Sequence, residues 1–189
     1  AELTGAPAAF ITSGAAAGLA ISAAACMAGS DPQKAKQLPD TSGMKNEILV
    51  QRCHRIHYDQ AIRVAGAHLV EVGFSDWSSV EDLKTHITDK SAAILYVAKF
   101  EFYAGSIPLN EVIRVAKDEN IPVIVDAADE LPPLSNLYKY TEMGADLVTY
   151  SGGKGLLGPQ GSGLLLGNRN LIEACAVNGS PNYGIGRAM

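Results

Sequence analysis

Apolar runs of strand length alternate with helix-length segments along nearly the whole chain, and this alternation is the tightest constraint on its fold. Strands are expected at 8–12, 47–51, 68–72, 92–97, 122–125, 147–151 and 164–166, and helices at 15–28, 58–65, 80–87, 109–119 and 171–177. A strand, a helix and a second strand in succession close most readily as a parallel pair with a right-handed crossover. The expected class is therefore α/β, a three-layer αβα sandwich around a mainly parallel sheet, formed by 1–189 as one domain. Helix 15–28 is apolar on every face and so should be buried. The polar stretch 29–46, with Pro32, Pro39 and Gly43, reads as a long loop that is functional or an oligomer contact. No internal repeat is visible.

Ligands of such sheets gather at the carboxyl ends of the strands. Ser13, His54, Asp126 and Lys154 each fall just after or at the end of an expected strand. Four polar groups on one edge point to a site more strongly than any one of them.

The most distinctive segment is Y150-S-G-G-K-G-L-L-G-P-Q-G-S-G163, in which one lysine, Lys154, sits among six glycines. No other charge occurs from Leu147 to Gly167. An ammonium in an apolar, glycine-lined setting loses hydration, which frees its amine as a nucleophile of the kind a Schiff-base lysine requires. A glycine-rich turn whose lysine points to water fits the spacing equally well. The segment is not a P-loop, because Val148 and Gly155 stand where that loop needs a glycine and a Ser or Thr. Gly153, Gly155 and Gly158 match the dinucleotide spacing, but Pro159, Gly161 and Gly163 follow where a helix would have to begin.

Ser13 is a natural N-cap for helix 15–28, and the small residues at 14–18 would let an anion reach the free amides of its first turn. Close packing of that helix on the sheet would use the same residues. Asp126 ends a very apolar strand, where a carboxylate needs a cationic partner, unless it is a cap or turn residue. His54, His57 and Asp59 have a spacing that a metal could use, but no further ligand cluster supports it. A histidine beside a cofactor ring, or packed in a loop, also fits His54.

A net charge of −5 and a pI near 5.3 argue against a nucleic-acid footprint on this segment. Cys26, Cys53 and Cys175 form no CxxC pair and read as reduced thiols in a cytoplasmic protein. The run 8–29 is too rich in Ala and Gly for a membrane span and lacks the basic lead of a signal peptide.

T12-S-G-A-A-A-G, His54, V125-D-A-A and S151-G-G-K together resemble the large domain of fold-type I pyridoxal 5'-phosphate (PLP) enzymes. Within them, K154-G-L-L-G-P-Q-G-S-G-L-L-L-G-N-R-N-L-I-E and G186-R-A-M are similar to the selenocysteine synthase, or L-seryl-tRNA(Sec) selenium transferase, family. PDTSGMKNEI, HRIHYDQAIRVAGAHLVEVG and VDAADELPP resemble its D-glucosaminate-6-phosphate ammonia-lyase branch. The resemblance implies that Lys154 is the Schiff-base lysine, that Asp126 pairs with the pyridine nitrogen and that His54 stacks on the ring. It implies that Ser13, Gly14, Ala15 and Ser151 hold the phosphate, that Ala128 borders the cofactor and that Arg187 takes an anionic substrate group. Asp129 departs from the pattern, since relatives often place a neutral residue there beside the phenolic oxygen. An ammonia-lyase acting on a phosphorylated amino-sugar acid is the expected activity, with an aminoacyl-tRNA transferase and a non-catalytic relative as alternatives. The resemblance further implies a homodimer or higher homo-oligomer, and a longer enzyme of which this chain is the large domain.

Overall fold

The computed structural model describes residues 2–179, 182, 184 and 185. Seven strands, β1 (Ala8–Thr12), β2 (Glu47–Gln51), β3 (His68–Val72), β4 (Ser91–Val97), β5 (Val123–Asp126), β6 (Leu147–Ser151) and β7 (Gly163–Gly167), form one sheet in the order β1-β7-β6-β5-β4-β2-β3. All neighbouring pairs are parallel except those of β7, which runs antiparallel to both β1 and β6. Because β7 reverses between them, β1 still points the same way as β6, so six strands end on one edge.

Helices α1 (Ala15–Ala28), α3 (Gln60–Val64) and α7 (Arg169–Asn178) cover one face of the sheet, and α4 (Val80–His86), α5 (Leu109–Asp118) and α6 (Asn136–Met143) cover the other. The strands serve both layers by period-two alternation. Ile48, Val50, Leu95 and Ile124 pack under α1 and α3, while Leu49, Tyr96, Val123 and Val125 pack under α5 and α6. Each such side chain contributes roughly 1.5–3 kcal/mol on full burial. The expected αβα sandwich is thus the observed one.

Helix α1 lies close to the sheet because Gly18 has no side chain. A Cβ there would sit 2.3 Å from Thr149 Oγ1 on β6. Its N-cap is Gly14 and no side chain caps it, so the expected capping by Ser13 is corrected. The 29–46 segment is also not all loop, for it contains α2 (Pro32–Gln37), capped by Asp31, whose side chain accepts from the amides of Gln33 and Lys34. Helix α6 was absent from the sequence reading; it ends at Gly144 in the left-handed region. The helix expected at 58–65 is shorter and follows a 3-10 turn at His57–Asp59. Helix α4 begins at a capping box between Ser79 and Asp82.

Candidate functional site

The registers Val97↔Asp126 and Asp126↔Thr149 place the Asp126 carboxylate on the carboxyl edge of the sheet, with Lys154 three residues beyond the end of β6. Both line a cleft of about 890 Å³, together with Arg55, His57, Arg63, Lys99, Phe100, Ala128 and Glu130.

Asp126 is 7% exposed and accepts a hydrogen bond from the Ala128 amide at 3.1 Å. Burial pushes its carboxyl above the usual range, while the Ala128 amide and the charge of Lys154 pull it back. The site therefore holds a carboxylate short of positive charge, suited to a cationic or protonated group in the cleft.

Lys154 is carried by a tight loop. Gly152 N–H donates to Ser162 O at 2.8 Å, Gly158 N–H to Gly152 O at 2.8 Å, and Leu157 N–H to Lys154 O at 2.9 Å. Gly155 lies against the next wall of the cleft, where a Cβ would come 2.2 Å from the Leu131 carbonyl oxygen. The expected desolvation of Lys154 is corrected. Its side chain is 44% exposed and its Nζ lies 3.5 Å from Asp129 Oδ1, so water and a carboxylate share the ammonium. This contact also gives Asp129 a role as a counter-charge to Lys154 at the cleft wall.

His54 does not border the cleft. It is fully buried, with its ring edge-on to Tyr96 at 4.7 Å and tilted over Phe100 at 5.6 Å. The Val97 amide donates to its Nδ1 at 3.2 Å, and Nε2 lies 2.7 Å from Ser106 Oγ. The expectation that His54 stacks on a ligand ring is corrected, because both faces and both nitrogens are committed to the core. His57 is exposed and lines the cleft instead.

Ser13, Gly14, Ala15 and Ser151 lie on the same sheet edge but not in the lining of this cleft. The pairings Thr12↔Gly163 and Ser151↔Gly163 bring the β1 turn and the end of β6 to opposite sides of β7. Arg187 lies outside the described residues. Among the described residues no group of three or more His, Cys, Asp or Glu is arranged to hold a metal, and no helix is long and apolar enough to cross a membrane.

The sequence reading missed Arg55, Arg63, Lys99 and Phe100. An acidic Asp59 with an arginine four residues to either side was a usable signal of a local charge cluster, although only Arg63 lies on α3, with Asp59 at its N-cap. Asp59 is 4% exposed and bonds Arg55 Nε, while Arg63 Nη2 lies 3.7 Å from its Oδ1. The second arm of Arg55 bonds Glu71, which also receives Arg52 at 3.3 Å.

A family model described as "SelA: L-seryl-tRNA selenium transferase" matches residues 2–179. A 5'-C-glycyluridine monooxygenase-decarboxylase of Streptomyces sp is 38% identical over 196 residues, covering 100% of this chain and 47% of that protein. A D-glucosaminate-6-phosphate ammonia lyase of Salmonella typhimurium is 38% identical over 191 residues, covering 98% and 50%. The chain thus spans about half the length of these curated relatives. Among solved structures, a D-glucosaminate-6-phosphate ammonia-lyase superposes with a TM-score of 0.89 at 37% identity, covering 100% of this chain and 51% of its own. Aspartate aminotransferases, at far lower identity, share the fold alone.

Proposed function

The chain belongs to the L-seryl-tRNA selenium transferase family, and on that footing we propose that it binds PLP and carries the catalytic edge of an ammonia-lyase for a phosphorylated amino-sugar acid such as D-glucosaminate 6-phosphate. The observation that carries this reading is the under-compensated carboxylate of Asp126 beneath a cleft that also presents Lys154. Those residues fit the cofactor. Asp126 would hold the proton of its ring nitrogen, Lys154 its carbonyl carbon, and Ser13, Gly14, Ala15 and Ser151 its phosphate, with Ala128 beside it. His57, not His54, is the imidazole available to a bound ring. The chemistry the cofactor supplies is a sink for the electron pair left at a substrate carbon after proton removal.

The residues of this chain account for the rest. The Lys154 amine, once free, takes the proton from the substrate Cα, and Asp129 at 3.5 Å steadies the ammonium that results. Asp126, shielded from bulk water, keeps the ring nitrogen protonated, and a charge contact of that kind is worth several kcal/mol in a dry site. Loss of the C3 hydroxyl and return of one water as the nitrogen leaves give a 2-keto-3-deoxy acid and ammonia. Arg187 would take the substrate carboxylate, and the functional unit would be a homo-oligomer in the cytoplasm.

A second reading is favoured by a specific finding, since an equally similar relative is named a 5'-C-glycyluridine monooxygenase-decarboxylase. The decisive experiment gives the full-length, cofactor-loaded protein D-glucosaminate 6-phosphate, 5'-C-glycyluridine with oxygen, or seryl-tRNA with a selenium donor. Ammonia from the first without the others supports the proposal. Turnover of the uridine or the tRNA alone overturns it, and no turnover of any, with cofactor bound, supports a non-catalytic relative.

A further inference from the structure

The lining of the cleft divides by chain segment. Residues 55–63 and the turn after β4 supply Arg55, Asp59, Arg63 and Lys99, a mostly basic wall, whereas 126–130 and the Lys154 loop supply Asp126, Asp129, Glu130 and Lys154. The commitments of the three cations on the basic wall are unequal. Arg55 is held by two carboxylates, with Nε on Asp59 and Nη1 on Glu71. Arg63 touches Asp59 through one nitrogen at 3.7 Å and is otherwise open to the cleft. Among the described residues no carboxylate lies within ion-pair distance of Lys99, and its side chain is exposed. The basic wall therefore holds two cations whose donors are largely unspent, in a protein whose net charge is −5.

Asp59 shows that this wall is built. A carboxylate at 4% exposure is costly unless cations and hydrogen bonds compensate it, and here it sits between Arg55 and Arg63. Arg55, pinned between Asp59 and Glu71, fixes the hub from which Arg63 extends. A planar guanidinium and a flexible ammonium facing one cavity match a tetrahedral dianion better than a planar carboxylate, because the fork binds two oxygens and the ammonium a third.

We propose that Arg63 and Lys99 form the subsite for the terminal phosphate of the substrate, with Asp59 and Arg55 as positioning residues. The proposal rests on the sugar-acid reading above and deepens it. The substrate carries two anionic groups, a carboxylate and a phosphate, and this subsite is separate from the residues that would hold the cofactor phosphate at Ser13 and Ser151.

The test uses the full-length, cofactor-loaded protein titrated calorimetrically with 6-phospho-D-gluconate and with D-gluconate. Neither probe has an amine, so neither can react, and the loaded cofactor occupies its own phosphate site. The phosphorylated acid should bind at least about tenfold more tightly, the gain of one good charge-assisted contact. Arg63→Gln and Lys99→Gln should each remove most of that preference without changing gluconate affinity, and Arg63→Lys should restore part of it. Cofactor loading, read by absorbance, should be unchanged in all three. Equal affinity of the wild type for both acids, or a preference that survives the Arg63→Gln/Lys99→Gln double variant, overturns the subsite. Ammonia release is scored separately. Release without phosphate preference keeps the lyase and removes the subsite, whereas preference lost with Arg63 and Lys99 but no release keeps the subsite and removes the lyase.

Discussion

The backbone amide of Val97 donates to Nδ1 of His54 at 3.2 Å. An imidazole that accepts at Nδ1 carries its proton on Nε2, and that proton faces Ser106 Oγ 2.7 Å away. Ser106 adjoins Ile107, whose amide donates to Gln51 Oε1 at 2.6 Å. One neutral imidazole thus ties β4 to the loop that follows it and, through Gln51, to the end of β2.

The first prediction follows from that geometry. Burial lowers the His54 pKa to about 4 from its ordinary 6.5. Between those values the unfolded chain binds a proton that the folded chain does not. The stability contributed by the neutral ring is therefore complete above pH 6.5 and is lost as pH falls toward 4, by at most about 3 kcal/mol. Urea midpoints at pH 7 and pH 4.5 should differ more in the wild type than in His54→Gln. Equal differences in the two proteins would refute the assignment.

The second prediction compares two glycines of the Lys154 loop. A Cβ at Gly155 would come 2.2 Å from the Leu131 oxygen, whereas one at Gly161 meets nothing within 4 Å. Gly155→Ala should cost about 1–3 kcal/mol as an overpacking change, with the loop displaced from the 128–131 wall. Gly161→Ala should be neutral within about 0.5 kcal/mol. Thermal denaturation of the two variants side by side decides it.

Leu157 gives the third. It has φ 53 and is 91% exposed, so its side chain gains little from burial while its backbone sits in the left-handed region. That conformation costs a non-glycine residue roughly 1–2 kcal/mol. Leu157→Gly should raise the unfolding free energy by about 1 kcal/mol. A loss of stability instead would mean that the leucine side chain is held by something outside the described residues.

The fourth concerns the cleft itself. Borohydride reduction of the cofactor-loaded, full-length protein should leave a pyridoxyl mass on the peptide containing Lys154. A label on Lys99 or Lys139 would displace Lys154 from its proposed role. Asp126→Asn should still bind cofactor but lose turnover by orders of magnitude, about 10²–10³ if it acts as one electrostatic contact. Near-normal turnover would remove Asp126 from the mechanism.

The layers of the fold were legible because period-two and all-apolar runs report burial directly. Every strand was found within a residue or two. Helix α2 was missed although Asp31-Pro32 is a strong start signal, because the polar residues after it suggested a loop. Helix α6 was missed because it is only eight residues long and its stripe is short, with Tyr140 buried and Leu137 and Met143 half-buried on either side of it. At the site, strand ends identified Asp126 and Lys154 as cleft neighbours. They could not show that His54 turns inward and His57 outward, since that depends on a 3-10 turn at Arg52–His54 rather than on spacing. The exposure of Lys154 was also hidden, because the carboxylate that meets it, Asp129, comes from a different loop.

The place of β7 between β1 and β6 has a consequence for how the chain is made. Helix α1 is buried along nearly its whole length, yet α7, β6 and β7, which cover much of it, all come from the last third of the sequence. At about 5–20 residues per second, α1 leaves the ribosome several seconds or more before its cover exists. Until then its apolar faces are available to any other nascent or unfolded chain. Expression yield should therefore depend on chaperone supply and on growth temperature more steeply than the stability of the finished sheet would suggest.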